Sequence, residues 1–95
     1  ARSGDIPSAL ESARTAINIQ PGAATPYLQE ALVLELQGNL KAAARSALQA
    51  TERDPTNWRT WFVRSRIEAE QGHVRASVES YRKAKRLNPR ALIFQ

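Results

Sequence analysis

Residues 27–55 read YLQEALVLELQGNLKAAARSALQATERDP, and this stretch decides the fold because its turn residues recur at a fixed spacing. Its glycine, its final proline and one of its alanines each have a counterpart 34 residues before and 34 residues after. The three sets are Gly4, Gly38 and Gly72; Pro21, Pro55 and Pro89; and Ala16, Ala50 and Ala84. A fixed period of this length indicates stacked repeats, in which each unit buries its apolar face against its neighbours.

The turn signals predict five helices and the beginning of a sixth. Residues that cap helix starts occur at Asp5, Thr25, Asn39 and Asn57, and Pro26 suits a first helical position. The predicted helices span about residues 6–19, 26–37, 40 to 52 or 53, 58–71 and 74–87, and residues 91–95 would begin another. The fold is therefore predicted to be all-α, a right-handed solenoid of antiparallel helix pairs containing about three repeats.

Composition excludes several classes of protein and site. The 95 residues include no Cys, so neither a disulfide nor a thiolate metal site can form. No apolar run approaches the roughly 18–20 residues of a membrane span, so we expect no membrane insertion of this chain. The chain shows no targeting segment, and its compartment cannot be read from the sequence. Because residue 1 is Ala rather than Met, we expect the chain to belong to a longer protein.

The net charge of +5 is concentrated in the second part of the chain. Residues 1–57 contain five Lys and Arg against six Asp and Glu, whereas residues 58–95 contain nine against three. The basic residues of the last predicted helix and of the turn after it are here called the basic patch: Arg75, Arg82, Lys83, Lys85, Arg86 and Arg90.

The basic patch has a functional and a structural interpretation. It could contact the phosphates of nucleic acid or of an anionic surface. Positive charge near a helix C-terminus also offsets the helix dipole by roughly 0.3–1 kcal/mol, and no aromatic stacking platform accompanies the patch. We favour the structural interpretation and do not expect nucleic acid as the main partner.

No catalytic, cofactor-binding or metal site is predicted. His73 is the only histidine, and neither a nucleophile elbow nor a second His accompanies it. Glu68 and Glu70 lie two positions apart, on different faces of a helix, so they do not form an acid–base pair. Trp58 and Trp61 could suggest an aromatic-ligand site, but we expect Trp61 in the core and Trp58 partly exposed.

The chain resembles the tetratricopeptide repeat family over nearly its whole length. Tyr27 with Ala31, and Trp61 with Ser65, stand where that family has an aromatic residue followed by a small one. Further matches are Gly38 and Gly72 in the turns, with Ala43, Ala50, Ser77, Tyr81 and Ala84 in the second helices. Glu30, Ala47 and Arg64 depart from the family pattern.

The resemblance implies a division of the chain into repeats. Residues 1–21 would be the second helix of a partial repeat, residues 24–57 and 58–91 two full repeats, and residues 92–95 the start of a further one. Because apolar ends of such arrays need covering, we expect either self-association through the incomplete ends or a neighbouring segment of a longer protein.

The family binds peptides or helices in a concave groove, and the resemblance implies which residues would line it. These residues are Leu28, Leu32, Glu35 and Leu36 from one repeat, and Arg59, Phe62, Arg66 and Ala69 from the next. Leu28 and Leu32 stand where some members carry polar groups that clamp a terminal carboxylate, so we expect no such clamp. The alternative is that these leucines pack against another helix, from a longer chain or a second copy.

The sequence therefore predicts a non-catalytic protein-interaction scaffold with a protein or peptide partner. An alternative follows from a second resemblance, because residues 26–61 (PYLQEALVLELQGNLKAAARSALQATERDPTNWRTW) and 82–94 (RKAKRLNPRALIF) look like repeats of bacterial O-antigen ligase or polymerase-like membrane proteins. That resemblance implies an accessory or assembly domain. A third hypothesis is weak nucleic-acid or anionic-surface binding through the basic patch.

Overall fold

The computed structural model describes residues 5–19, 22–91 and 93, and all regular structure within residues 5–19 and 22–91 is α-helical. The five helices are α1 (Asp5–Ile19), α2 (Ala24–Leu36), α3 (Leu40–Arg53), α4 (Trp58–Glu70) and α5 (Val74–Leu87). Each helix packs on the next one, and α2 also contacts α4. The predicted all-α helical-repeat fold is confirmed.

The two glycine turns have the same geometry in both complete helix pairs. Gly38 follows α2 with φ 79° and Gly72 follows α4 with φ 83°, both in the left-handed region. The amide of Asn39 donates to the carbonyl of Leu34 at 2.9 Å, and the amide of His73 donates to that of Glu68 at 2.9 Å. These bonds satisfy carbonyls at the helix ends, as in a Schellman-type C-cap.

The helix starts agree only partly with the predicted caps. The side chain of Asn57 accepts a hydrogen bond from the amide of Arg59 at 3.1 Å, and Asn39 is at the N-cap of α3 without a side-chain bond. The cap predicted at Thr25 is wrong, because α2 begins at Ala24 and Ala23 occupies its N-cap. None of the first four amides of a helix has an intrahelical partner, so Pro26 fits the first turn without having to be its first residue.

The two ends of the chain also differ from the prediction or lie outside the description. Asp5 is the first residue of α1 rather than its cap. Ala91 forms a bend, and its amide donates to the carbonyl of Asn88 at 3.2 Å. Residues 1–4, 20, 21, 92, 94 and 95 lie outside the described residues, and so does most of the predicted sixth helix.

Small residues form the centre of the core. Five alanines have no exposed surface: Ala31, Ala43, Ala47, Ala50 and Ala84. Together with Leu34, Val63 and Ile67, the first three form one cluster in which α2, α3 and α4 meet. Because an alanine extends only one carbon from the backbone, its helix can approach a neighbour closely, and every larger side chain at such a contact would push the helices apart.

Trp61 is half-buried at the junction between the two complete helix pairs rather than in the core. Its indole Nε1 donates to the carbonyl of Pro55 at 2.8 Å, and the guanidinium of Arg64 lies 5.2 Å from its ring centre. The indole thus ties α4 to the turn that follows α3.

We expect Gly38→Ala to lower the free energy of unfolding by about 1 kcal/mol, because a Cβ is disfavoured at left-handed φ. A Cβ at this position would have nothing within 4 Å of it, so the loss would come from the backbone alone. Gly22→Ala is the control, since Gly22 also has open space around it but does not have positive φ. Urea unfolding measures both losses, and equal losses of stability in the two variants would contradict the role given to the left-handed φ of Gly38.

Candidate functional site

The eight residues predicted to line a groove lie on α2 and α4, the first helices of two successive repeats, which contact each other. They are here called the α2–α4 surface: Leu28, Leu32, Glu35, Leu36, Arg59, Phe62, Arg66 and Ala69. Leu36 has 72% of its surface exposed. Leu28 and Leu32 are half-buried and pack against the core cluster, so only part of each side chain is available to a partner.

A bidentate ion pair crosses the repeat boundary within this surface. Arg66 Nε donates to Glu35 Oε2 at 2.8 Å, and Arg66 Nη2 donates to Glu35 Oε1 at 2.5 Å. The Glu35 side chain is 12% exposed and the Arg66 side chain 42% exposed, so the pair is partly shielded from water. The positive charge of Arg66 is therefore already matched by a carboxylate of the preceding repeat.

Glu70 forms a hydrogen bond with Glu35, and the two carboxyl groups shift each other's pKa. Burial would raise the pKa of Glu35, but hydrogen bonds with Arg66 and Glu70 outweigh it and hold that pKa below its usual value. The hydrogen bond to Glu35 raises the pKa of Glu70, and burial adds to the effect. The hydrogen bond to Glu35 likewise raises the pKa of Arg66, so the guanidinium stays charged.

An aromatic group adjoins the surface on the α4 side. The ring of Phe62 lies 6.2 Å from that of Trp58 and 6.5 Å from that of Tyr81, both in tilted geometry. The guanidinium of Arg59 lies 5.6 Å from the Trp58 ring centre. This arrangement places an exposed cation beside half-buried aromatic rings, which suits a ligand that has both an apolar and an anionic group.

Sequence reasoning missed a second set of polar contacts between helices. Glu30 accepts hydrogen bonds from Arg14 Nε at 3.1 Å and from Ser46 Oγ at 2.6 Å. In the next repeat, Ser80 Oγ donates to Glu68 Oε1 at 2.6 Å. The recurrence of serine at positions 12, 46 and 80 was the available signal, together with the polar residue at position 30, where the family has an apolar one.

The basic patch lies on α5 and on the turn after it, and it shares no residue with the α2–α4 surface. Arg75, Arg82, Lys85, Arg86 and Arg90 are exposed, and Lys83 is half-buried. Three of these residues, with Glu79 and Pro89, line an open depression of about 810 Å³: Arg82, Lys85 and Arg86.

No cluster of metal-ligating side chains appears in the described residues. Within residues 5–19, 22–91 and 93, no three His, Asp or Glu side chains are grouped as metal ligands. His73 is exposed at the N-cap of α5. None of the described helices has the length and apolar character that crossing a bilayer requires.

We expect the Glu35–Arg66 pair to couple the two repeats by about 1 kcal/mol, at the upper end of the range for exposed ion pairs because the contact is bidentate. A double-mutant cycle of Glu35→Gln and Arg66→Gln, followed by urea unfolding, measures this coupling. The same cycle for Arg14 and Glu30 is a reference. Arg14 contacts Glu30 through Nε, and the Arg14 side chain is more exposed than that of Arg66. Additive effects of Glu35→Gln and Arg66→Gln would show that the pair does not link the repeats.

Lowering the pH should reduce the free energy of unfolding, because Glu35 becomes protonated and loses its charged contacts. A carboxyl whose folded-state pKa is depressed stabilises the protein above its unfolded pKa, here near 4.5, and that stabilisation is lost as the pH falls through the folded-state value. Wild type should therefore lose stability below about pH 4.5, whereas Glu35→Gln should lose less over the same range. Glu70 shifts in the opposite direction, so Glu70→Gln should keep the acid-induced loss. Urea unfolding between pH 7 and pH 3 tests both variants.

Comparison with known proteins agrees with this architecture. The family model described as "Tetratricopeptide repeat" matches residues 1–57 and residues 28–91. Among solved structures, one titled "Structure of Naa15/Naa10 bound to HypK-THB" superposes with a TM-score of 0.76 at 21% sequence identity. The match covers 90% of this chain but only 13% of that one, and at this identity it shows the fold alone. No curated protein matches the sequence at a significant level. On the matched residues and the repeated helix pairs, this chain belongs to the tetratricopeptide repeat family.

Proposed function

We propose that this chain is a non-catalytic scaffold that binds a peptide or a helix of a partner protein on the α2–α4 surface. Membership of a family of protein-interaction repeats supports the proposal, and so does the direct contact between α2 and α4, which brings residues of two repeats together. The structural relative belongs, by its title, to a complex "bound to HypK-THB". The proposal extends that kind of role, not that partner, to this chain.

The observation that carries the proposal is the exposure of Leu36, a large apolar residue of the α2–α4 surface. Leu36 is 72% exposed and directly follows Glu35, whose carboxylate is held by Arg66. A large apolar side chain gains about 25 cal/mol for each Å² of apolar surface removed from water, so Leu36 favours an apolar contact with a partner.

The charges of this surface indicate where an acidic group of the ligand would bind. The sequence predicted both Arg59 and Arg66 as contacts, together with Leu28, Leu32 and Phe62. Because Arg66 is engaged by Glu35 in a bidentate pair, we assign the ligand's carboxylate to Arg59. Phe62, which is half-buried beside Trp58, would then meet an adjacent apolar side chain.

The other functions suggested by the sequence stay predictions. No observation favours an accessory role in an O-antigen ligase or polymerase, nor nucleic-acid binding by the basic patch. Self-association through the ends of the array is likewise untested.

Selection of a displayed library of random 12-residue peptides against the chain would test the proposal. We expect the selected peptides to combine apolar residues with Asp or Glu, and Leu36→Ser and Arg59→Ala each to weaken their binding about tenfold, which corresponds to about 1.4 kcal/mol of binding free energy. Both side chains are exposed, so neither change should unfold the protein.

Lys41→Ala is the matched control, because Lys41 is an exposed cation on α3, away from the proposed surface. It should bind the selected peptides as wild type does. Peptides that bind Leu36→Ser, Arg59→Ala and wild type equally would overturn the assignment of this surface.

A further inference from the structure

Two charged side chains of α4 lie at the ends of the helix that its dipole disfavours. Arg59 is in the first turn of α4 and Glu70 is its last residue, whereas a helix dipole favours negative charge at the N-terminus and positive charge at the C-terminus. In α2, Glu35 likewise lies in the last turn. Neither helix has a basic residue in its last turn, but α3 and α5 both do. The first helices of two successive repeats therefore carry charges that reduce their stability, and departures of this kind are expected mainly at functional sites.

The disfavoured carboxylates of the two helices meet at one end of the α2–α4 surface. Short turns join α2 to α3 and α3 to α4, so the chain reverses direction twice, and α2 and α4 run the same way. Arg66 binds Glu35 at the C-terminal end of both helices, and Glu70 shares a hydrogen bond with Glu35. The hydrogen bond to Glu35 raises the pKa of Glu70, and the opposing effect of Arg66 is weaker. With two carboxylates and one guanidinium, this end of the surface has a net negative charge.

The opposite end of the same face carries a positive charge. Arg59 and Glu70 are eleven positions apart, which is about three helical turns, so both face the same side of α4. Their separation along the helix axis is about 16 Å, and Arg66 lies between them, already bound to Glu35. Arg59 and Glu70 are exposed, and neither forms an ion pair with another described residue. A ligand that lies along α4 therefore meets a cation at one end and a carboxylate at the other.

We propose that the ligand of the α2–α4 surface is a peptide with an acidic residue that binds Arg59 and a basic residue that binds Glu70, so that it binds in one orientation. This inference rests on the proposed function and adds Glu70 as a specificity-determining residue of the same site. In an extended peptide, about 16 Å corresponds to about five residues. Leu36 ends α2 directly after Glu35, so the apolar residue that covers Leu36 would lie beside the basic residue of the peptide.

A second copy of the chain fits this surface less well than a peptide does. Two copies related by two-fold symmetry would also set Arg59 against Glu70. A stable dimer interface, however, buries roughly 800 Å² on each copy and has an apolar centre. Of the large apolar residues of the α2–α4 surface, Leu36 alone is largely exposed. That amount of apolar surface suits one apolar side chain of a peptide.

Exchanging the two charges of α4 tests this inference without changing the net charge. The double variant Arg59→Glu, Glu70→Lys keeps the chain at +5 and puts each charge at the end that the helix dipole favours. It should therefore unfold at a higher urea concentration than wild type, which also shows that it is folded. A lower unfolding midpoint than that of wild type would contradict the placement of these charges against the dipole.

Peptide selection then measures the orientation of the ligand. Displayed 12-residue peptides selected on wild type should have an acidic and a basic residue about five positions apart in one constant order, with an apolar residue beside the basic one. Peptides selected on the exchanged variant should have the opposite order. The most enriched wild-type peptide should bind the exchanged variant about tenfold more weakly. The same peptide with its acidic and basic residues interchanged should show the reverse preference.

Single variants separate this inference from the proposed function. Glu70→Lys should weaken binding of the most enriched wild-type peptide about tenfold, whereas Glu52→Lys, the same charge change at an exposed residue of α3, should not. If Leu36→Ser weakens binding but Glu70→Lys acts like Glu52→Lys and the charge order is random, this inference fails and the proposed function stands. If Leu36→Ser has no effect on binding, both fail. A dimer in light scattering that Glu70→Lys dissociates would assign the surface to a second copy and overturn the inference.

Discussion

The close approach of α2, α3 and α4 through alanines is the constraint on which the rest of the molecule depends. Ala31, Ala43 and Ala47 have no exposed surface, and they contact Leu34, Val63 and Ile67 of the same cluster. Close packing of this kind leaves little freedom in the distance and rotation of the helices. It places α2 beside α4, so that Glu35 of one repeat meets Arg66 of the next, and it sets the faces of the helices that partners can reach.

Polar contacts then distinguish repeats that share this packing. The serine at positions 46 and 80 donates to a carboxylate of its own repeat's first helix, Glu30 in one case and Glu68 in the other. Glu68 lies one helical turn beyond Arg64, the equivalent of Glu30, and pairs with that arginine at 3.4 Å. The carboxylate that accepts the serine hydrogen bond therefore lies one helical turn later in the second of these repeats than in the first. Such exchanges change the charge presented to neighbouring helices without changing the alanine core.

The sequence predicted the architecture well because the repeat period and the glycine turns are local features. Gly38 and Gly72 are 34 residues apart and follow the ends of α2 and α4 with the same left-handed geometry, so the ends of these helices can be predicted from the glycine spacing. The start of α2 was missed because proline fits several positions in a first turn. The pairing of Glu35 with Arg66 could not be read either, because the residues lie 31 positions apart and meet only through the rotation of two helices.

The most direct test of the alanine constraint is the free energy of unfolding of Ala47→Leu. Three added carbons at a fully buried contact should lower the stability by about 1–3 kcal/mol, because α3 and α4 cannot separate without losing their other contacts. Tyr81→Leu places the same side chain at the equivalent, partly exposed position of α5 and should cost clearly less. Equal effects at the two positions, or an Ala47→Leu variant as stable as wild type, would contradict the account.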